Sequence, residues 1–500
     1  MTSRETRPDA GQGLVGELRH GILGVADALA QSVALLSLAL GVAFAATGAA
    51  FYAGPTVPLA YLIAGVGSLC LASVIIRFTR RMASAGGLYT YIARGLDRRA
   101  GFLAGWLYGG GFAVGISFVL VIGSFFLSIF FKVHTSIDLS WFQCFWIMIA
   151  VLALIAFLDI RISTRLQLVL AAIGVASILL LALVILFKGG DSGLSLQPFN
   201  PSKAPTTSNL FLAVVLAFTG FIGFEAAAVL GEETSNPLRS IPKAILTAVL
   251  VALVYYVFVT WMMSVGFGVD NSLKWATDPA AIDTLATRYV GNWLSVIIDL
   301  SVAASGFIAA LGGLHLTSRT LYAMGREGGL PRAFAWTHPR FKTPWTGIAF
   351  SLLVTILLGA LFAHRYNANP IIYFVFMATA ATVGILITYI LVAVSGMVYF
   401  WRERTAGEVA YNALLDVVLP LAAIAICGYT LFRTIHPVPP YAGVVKWAPW
   451  VGLIWLGVGV GVTIFLSVTA PDRVARFGQV LAEGEAPAPA PQARTAEPVR

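Results

Sequence analysis

Long apolar runs separated by short polar stretches dominate the pattern of this chain. Each run has about 20 residues, the length at which an α-helix crosses the hydrocarbon core of a bilayer. Because open strands and loops cannot cross hydrocarbon with unpaired backbone amides, the runs predict membrane-spanning helices. We expect twelve spans, at about residues 28–52, 57–77, 101–131, 141–159, 163–187, 207–231, 242–268, 290–322, 344–362, 370–400, 411–433 and 447–469.

Small and polar residues interrupt this pattern in spans one and six. Span one contains ALGVAFAATGAA at residues 39–50, and span six contains FTGFIGFE at residues 218–225. One such run is typical of close helix packing. If the first ten helices form two five-helix halves, however, the two runs occupy corresponding places, and this pairing favours broken helices.

Broken helices would leave free backbone groups near the middle of the membrane, amides at one half-helix end and carbonyls at the other. Such ends suit a zwitterion, whose carboxylate would lie on the amides of span one and whose ammonium group would meet the carbonyls of span six. Since no arginine lies at the centre of a predicted span, backbone recognition is the simplest hypothesis. The expected substrate-binding residues are Leu40, Gly41, Val42, Ala43, Phe44, Phe218, Thr219, Gly220 and Phe221.

Composition and charge agree with a membrane protein. Of the 500 residues, 58% are hydrophobic and 11% are charged, and the net charge is +9. With the N-terminus in the cytoplasm, 24 of the 32 basic residues fall on the cytoplasmic side. This bias follows the positive-inside rule, so the basic charge indicates orientation and not nucleic-acid binding. We expect a multi-pass protein of the cell membrane with both termini in the cytoplasm.

Three further segments resemble signature segments of a known family. They are SAGGLYTYIARGL at residues 84–96, FIGFEAAAVLGEETSNPLRSIPKAI at 221–245 and YAMGREGGLP at 322–331. They are similar to segments of the amino acid, polyamine and organocation (APC) transporter superfamily, and the resemblance covers about residues 20–470. It implies an all-α integral membrane fold of 12 transmembrane helices: two inverted five-helix repeats with broken helices 1 and 6, plus two peripheral helices.

The predicted domains follow from the spans and this resemblance. We expect a cytoplasmic N-terminal tail at residues 1–20, a ten-helix inverted-repeat transport core at 21–400, and two peripheral transmembrane helices at 401–470. Residues 471–500 include APAPAPQ, which cannot bury a core, and are expected to form a disordered cytoplasmic tail.

Glu225 is the expected coupling or gating residue. It matches the glutamate of span six that the resemblance links to proton coupling. An ionised carboxylate at mid-membrane costs about 2.5 to 3.5 kcal/mol, so this side chain must face protein, water or a partner, or be protonated. A hydrogen bond that fixes the broken helix is the alternative interpretation.

Two positions depart from the patterns of some family members. Gly174 aligns with a lysine of certain proton-coupled members, so coupling through that lysine is in doubt. Thr219 stands where other members carry an aromatic gate. One alternative is that Phe218 or Phe221 closes the site, and the other is that the pocket is wetter and accepts a substrate with a polar side chain.

Polar residues elsewhere have structural and functional interpretations. Ser301 and Ser305 resemble hydroxyls from which a sodium site could be built, although helix packing is the commoner use of serine in membranes. For Asp299 we favour a salt bridge or a water contact. An inner gate and a solvated turn are both open for the cytoplasmic charged cluster of Glu232, Glu233, Arg239 and Lys243, and the nearby N-P and I-P pairs favour a fixed bend.

The leading hypothesis is a secondary active transporter of amino acids or related amines that works by alternating access and is coupled to protons. The alternative is an exchanger, exporter or facilitator of amines or amino acids without proton drive. We expect a monomer or homodimer in contact with membrane lipid, with sodium less favoured than the proton. Neither an enzyme, a cofactor nor a metal site is expected, because the histidines and cysteines lack metal-ligand spacing. The sequence leaves the substrate and the direction of transport open.

Overall fold

The chain folds into helices joined by turns. The computed structural model describes residues 17–157, 160–191, 193–278, 280–366, 369–406, 411–437 and 443–479, which contain no β-strand and a single bridge between Leu23 and Thr234. The helices are α1 (Val25–Leu36), α2 (Leu38–Leu40), α3 (Thr47–Ala53), α4 (Val57–Thr79), α5 (Leu88–Gly95), α6 (Arg98–His134), α7 (Trp141–Ala156), α8 (Ile160–Lys188), α9 (Thr207–Thr219), α10 (Pro237–Phe267), α11 (Ser272–Thr277), α12 (Ala281–Tyr289), α13 (Asn292–Arg326), α14 (Trp345–Tyr366), α15 (Pro370–Thr405), α16 (Leu419–Ile435), α17 (Ala448–Thr469) and α18 (Pro471–Val474).

The apolar helices make this a multi-pass membrane protein. Among the described residues, nine helical segments are long and apolar enough to cross a membrane. One of them, Val25–Thr79, has 55 residues, more than two crossings of about 20 residues need. The helices α7 and α9 are shorter apolar helices. The count of twelve spans and the inverted repeats stay predictions.

The pair of α6 and α13 forms the centre of the fold. At Gly306, a Cβ atom would lie 2.7 Å from the Cα of Gly123 on α6, so these helices touch through their backbones. Small residues at such a crossing are the usual device for close packing in membranes. The buried residues of α13 include Asp299, His315 and Arg319, so this helix places polar and charged side chains in the interior of the protein.

Packing extends beyond residue 470, where we expected the disordered tail to begin. Phe477 is 2% exposed and stacks on Phe102 of α6, with ring centroids 5.4 Å apart. A stacked aromatic pair stabilises the folded state by more than its buried apolar area alone. This contact explains why the part of the predicted tail around Phe477 packs against α6. Residues 480–500 of that tail, and residues 1–16 of the N-terminal tail, lie outside the described residues.

Candidate functional site

Span one changes its backbone course at Ser37. Helix α1 ends at Leu36, and Ser37 adopts the left-handed conformation with φ 51° and ψ 49°. The Ser37 hydroxyl lies 3.1 Å from the backbone oxygen of Ser305 on α13 and 3.0 Å from its hydroxyl. A π-helical segment, Gly41–Ala46, follows α2 and falls within the interruption expected at 39–50. The left-handed residue Ser37 lies before that range and is hydrogen-bonded to α13.

Span six leaves helical geometry where α9 ends. Residues 220–225 form turns, and a short 3-10 helix, Ala226–Leu230, follows them. Gly223 has φ 104°, a conformation that favours glycine, and a Cβ there would lie 2.8 Å from the Cβ of Leu35. The turn therefore brings span six into direct contact with span one.

The two interrupted spans meet at Tyr256 of α10. Its hydroxyl lies 3.0 Å from the carbonyl oxygen of Leu36, the last residue of α1, and 3.2 Å from that of Gly220, the residue after α9. Next to it lies Tyr61 of α4, with ring centroids 4.9 Å apart. The Tyr61 hydroxyl is buried and has no hydrogen-bond partner within the described part of the chain.

The predicted amides of span one have partners in this conformation. The amide of Leu40 donates to Ser305 Oγ at 3.3 Å, and that of Gly41 donates to the Ser37 carbonyl at 2.8 Å. Val42 and Ala43 are buried. A substrate carboxylate at the first two positions would thus replace existing hydrogen bonds.

The aromatic residues of the predicted site divide between two places. Phe218 and Phe221 are both 1% exposed, and the Phe221 ring packs edge-on against Tyr256 at 5.3 Å. Half-buried Phe44 instead packs against Phe374 of α15 at 4.9 Å. Thr219 is half-buried, and its hydroxyl donates to the carbonyl of Leu216 at 2.7 Å.

Glu225 lies at the meeting point of span six with α6 and α15. Its Oε1 accepts hydrogen bonds from the hydroxyls of Tyr108 and Tyr389, each at 2.7 Å, and its Oε2 accepts from the Gly223 amide at 3.2 Å. The side chain is fully buried. Three donors are therefore directed at one carboxylate, an arrangement that stabilises negative charge away from water.

The two serines of the expected sodium site face a small cavity of about 10 Å³, close to the least that holds one water. Its lining includes Ala39, Gly174, Ser301 and Ser305. A Cβ at Gly174 would lie 3.4 Å from the Cβ of Ser301, so the position aligned with the lysine of other members faces this cavity.

Two ion pairs, one buried and one half-buried, lie near the end of α13. Arg319 donates to Glu233 at 2.5 and 3.0 Å, and Arg326 donates to Glu232 at 2.6 and 3.0 Å. Glu232 also accepts from the backbone amide of Ala85 at 3.1 Å. Glu232 and Glu233 thus join span six to α13 and to the segment after α4, and do not form a solvated turn.

The other members of that expected cluster lie elsewhere. Arg239 and Lys243 are exposed on the first turns of α10. Asn236 has φ 49° and precedes Pro237, the first residue of α10, so the chain turns at the N-P pair; Pro242 of the I-P pair lies inside α10, which continues through it.

Three tyrosines of the site, Tyr108, Tyr256 and Tyr389, were not predicted from the sequence. Each lies in an apolar span, where burying a hydroxyl without a hydrogen-bond acceptor costs free energy. This cost is the feature of the sequence that could have marked the three tyrosines as hydrogen-bonded residues. It names no partner, however, because the acceptors are distant in sequence: 117 and 164 residues separate Tyr108 and Tyr389 from Glu225.

This chain is similar in sequence to known membrane transporters. A sequence model of the family described as amino acid permease matches residues 26–462. The low-affinity putrescine importer PlaP of Escherichia coli (strain K12) is 27% identical over 418 residues, which cover 80% of this chain and 85% of PlaP. The branched-chain amino acid permease BcaP of Bacillus subtilis (strain 168) is 24% identical over 408 residues, with 78% and 83% covered.

Among solved structures, a mutant of the manganese transporter of Eremococcus coleocola matches with a TM-score of 0.59 and 12% identity, covering 92% of this chain and 98% of that chain. At this identity the likeness concerns the fold alone. The family match confirms the resemblance drawn from the three sequence segments, and the named relatives are transporters and not enzymes. The chain belongs to the amino acid permease family.

Proposed function

We propose that this permease is a secondary active transporter of amino acids or related amines that works by alternating access. The observation that carries the proposal is the convergence of the Leu36 and Gly220 carbonyls on the Tyr256 hydroxyl. Carbonyls at helix C-termini carry the negative end of the helix dipole and attract a cation. The ammonium group of a substrate would bind at this point, between spans one and six.

An amine is the chemical feature that the substrates of the named relatives share. Putrescine has two amines and no carboxylate, whereas a branched-chain amino acid has one amine and an apolar side chain. A site built on carbonyls and a tyrosine hydroxyl suits the common group. The rings of Phe44, Phe374 and Phe118, in contact at 4.9 and 5.1 Å, would provide an apolar wall for the rest of the molecule.

The buried ion pair of Arg319 and Glu233 supports a cycle with two alternately closed ends. Arg319 and Glu233, with side chains 1% and 2% exposed, hold span six against α13. Opening this end would require the pair to separate and to gain water. We place this end in the cytoplasm, as the distribution of basic residues predicts. A twelve-helix inverted-repeat fold in the cell membrane is part of the same proposal.

Proton coupling is assigned to Glu225. Three hydrogen-bond donors hold its carboxylate, and two of them come from helices that a rocking motion would move relative to span six. Protonation would weaken these bonds and so link proton binding to the motion. An exchanger or facilitator without proton drive is the second candidate, and sodium at Ser301 and Ser305 is a less favoured coupling ion.

The substrate class is tested by a thermal-shift screen of the purified protein against amino acids, diamines and matched compounds without an amine. We expect stabilisation by members of the amine group only. The best ligand is then used for uptake into proteoliposomes with an imposed pH gradient. Counterflow without accompanying proton movement would support the exchanger.

The coupling residue is tested with Glu225→Gln, which keeps the shape and removes the negative charge. We expect uptake driven by the pH gradient to be lost while counterflow remains. The matched control is Glu17→Gln, because the side chain of Glu17 is 83% exposed. Unchanged uptake with an unchanged pH profile in Glu225→Gln would exclude the assigned role.

A further inference from the structure

A group of three metal-binding side chains lies at the opposite end of α13 from the ion pairs. His134 is the last residue of α6, Asp299 lies on α13, and Asp283 lies in the first turn of α12. One ligand atom from each comes within 4.8 Å of the others. His134 and Asp299 are 165 residues apart in sequence, which is why inspection of local spacing gave no metal site.

We propose that His134, Asp283 and Asp299 bind a divalent transition-metal ion of the zinc type. Zinc binds imidazole nitrogen and carboxylate oxygen at about 2.0 to 2.2 Å in tetrahedral geometry, so two ligand atoms on one ion lie about 3.4 Å apart. His134 Nε2 and Asp299 Oδ2 are separated by 2.9 Å, and this pair reaches the tetrahedral separation by moving about 0.5 Å. Rotation of the Asp283 side chain toward them would complete a set of three protein ligands, which leaves the fourth tetrahedral position to water.

The electrostatics of the group favour a cation. Two carboxylates lie within 4.8 Å of one imidazole, and the side chains of His134 and Asp299 are 4% and 8% exposed. Removing such charges from water is costly unless they are compensated, and a divalent ion supplies the compensation. The imidazole ligand favours a transition-metal ion over Mg²⁺ and Ca²⁺, because those two ions prefer oxygen ligands.

A supporting hydrogen bond reaches the third ligand. The Ser295 hydroxyl, on the first turn of α13, donates to Asp283 Oδ1. Metal-ligating carboxylates are usually oriented by such partners. The bound ion would tie α12, which belongs to the connection between α10 and α13, to the end of α6. It would thereby restrain this connection at the end that we place outside the cell.

Direct binding tests the site. Full-length protein, purified in detergent and freed of metal with a chelator, is titrated with ZnCl2 by calorimetry, and its melting temperature is followed in parallel with MgCl2 as the comparison. We expect one Zn²⁺ per chain and a higher melting temperature with Zn²⁺ only. Asp283→Asn should weaken Zn²⁺ binding at least tenfold, because it removes one ligand and leaves the pair of His134 and Asp299 in place.

The control is Asp270→Asn, which removes the same charge from an exposed position in the same connection. It should bind Zn²⁺ as the wild type does. The melting temperature of each variant without metal shows that it is folded. The proposal is overturned if the wild type binds no Zn²⁺, or if folded Asp283→Asn binds it with unchanged affinity.

Discussion

The hydroxyl of Tyr256 occupies the space that a side chain on Gly41 would need. A Cβ atom there would lie 2.5 Å from Tyr256 Oη and 3.0 Å from its Cε1. The ring cannot turn aside freely, because it is buried and its hydroxyl is bonded to the Leu36 carbonyl. Gly41 has φ −58°, which any residue can adopt. Glycine is therefore required here by the close approach of Tyr256 and not by the backbone.

The first prediction concerns this contact. Gly41→Ala should reduce transport at least tenfold and destabilise the protein by about 1 to 3 kcal/mol, because the added methyl group displaces Tyr256. Gly48→Ala in the same span is the control, since a Cβ there meets no atom within 4 Å. Uptake and thermal unfolding of both variants are measured together. Wild-type uptake by Gly41→Ala would contradict the assigned contact.

The second prediction concerns the two tyrosines that share one oxygen of Glu225. Tyr108→Phe and Tyr389→Phe should each destabilise the protein by about 0.5 to 2 kcal/mol, the range of hydrogen bonds between membrane helices. The double variant should deviate from additivity by at least about 0.5 kcal/mol, because both hydroxyls donate to the same Oε1. Unfolding by denaturant in micelles measures all three variants.

Tyr255→Phe serves as the control for this pair. Its hydroxyl is buried but has no hydrogen-bond partner among the residues described, so its removal should cost little. If Tyr255→Phe destabilises the protein as much as the other two variants, the loss reflects general packing and not the bonds to Glu225.

Features that depend on a local stretch of sequence could be predicted, whereas features that depend on contacts between residues distant in sequence could not. Apolar runs gave the helical membrane fold, and the small residues around Gly41 and Gly220 gave the two interruptions. The break in the helix at Ser37 escaped prediction, since the hydrogen-bond partner of Ser37 is Ser305, 268 residues away. A left-handed serine has no local signature comparable to that of glycine.

The candidate site divides in the same way. Glu225 could be singled out because an acid in an apolar span is costly wherever it lies. Its partners Tyr108 and Tyr389 are ordinary residues of their own spans, and only the packing of α6 and α15 against span six selects them. The charged segment after span six could be recognised in the sequence. Its partners Arg319 and Arg326 were interpreted only as orientation signals, because the packing of α13 against this segment could not be predicted.

The third prediction compares a buried ion pair with an exposed one. Glu233→Gln should destabilise the protein by about 3 to 5 kcal/mol, because it leaves the buried Arg319 guanidinium without its counter-charge. Asp191→Asn should cost at most about 1 kcal/mol, because the side chains of Asp191 and Arg288 are 24% and 50% exposed. Unfolding in micelles is compared at neutral pH. Equal losses in the two variants would contradict the burial argument.

The exposed pair also predicts a pH dependence. The hydrogen bond from Arg288 holds the pKa of Asp191 below its usual range. A lowered pKa in the folded state stabilises the protein above the unfolded pKa of about 3.9, and this contribution disappears as the pH falls through the folded value. The stability difference between wild type and Asp191→Asn should therefore be constant from pH 5 to pH 7, as denaturant unfolding at several pH values can measure.

The fourth prediction concerns the docked segment of residues 471–479. Tyr89 of α5 donates a hydrogen bond to Glu327, and the backbone amide of Gly478 donates to Glu327 Oε2 at 2.7 Å. Burial and the neighbouring carboxylate hold the pKa of Tyr89 well above its usual range, so the hydroxyl keeps its proton and remains a donor. Arg94 adds a bond of 2.7 Å to the Gly478 carbonyl. The segment is thus attached to both α5 and the end of α13.

Removal of its aromatic anchor should release this segment. Phe477→Ala eliminates the stacking on Phe102, and the loss of a buried aromatic ring costs about 3 to 5 kcal/mol. Because the segment can open without unfolding the rest of the protein, trypsin should cleave after Arg473 and Arg476 at least tenfold faster than in the wild type. Phe465→Ala on α17 is the control, since that ring is 63% exposed. Equal cleavage rates in wild type and Phe477→Ala, followed by mass spectrometry, would mean that the segment is not held by this ring.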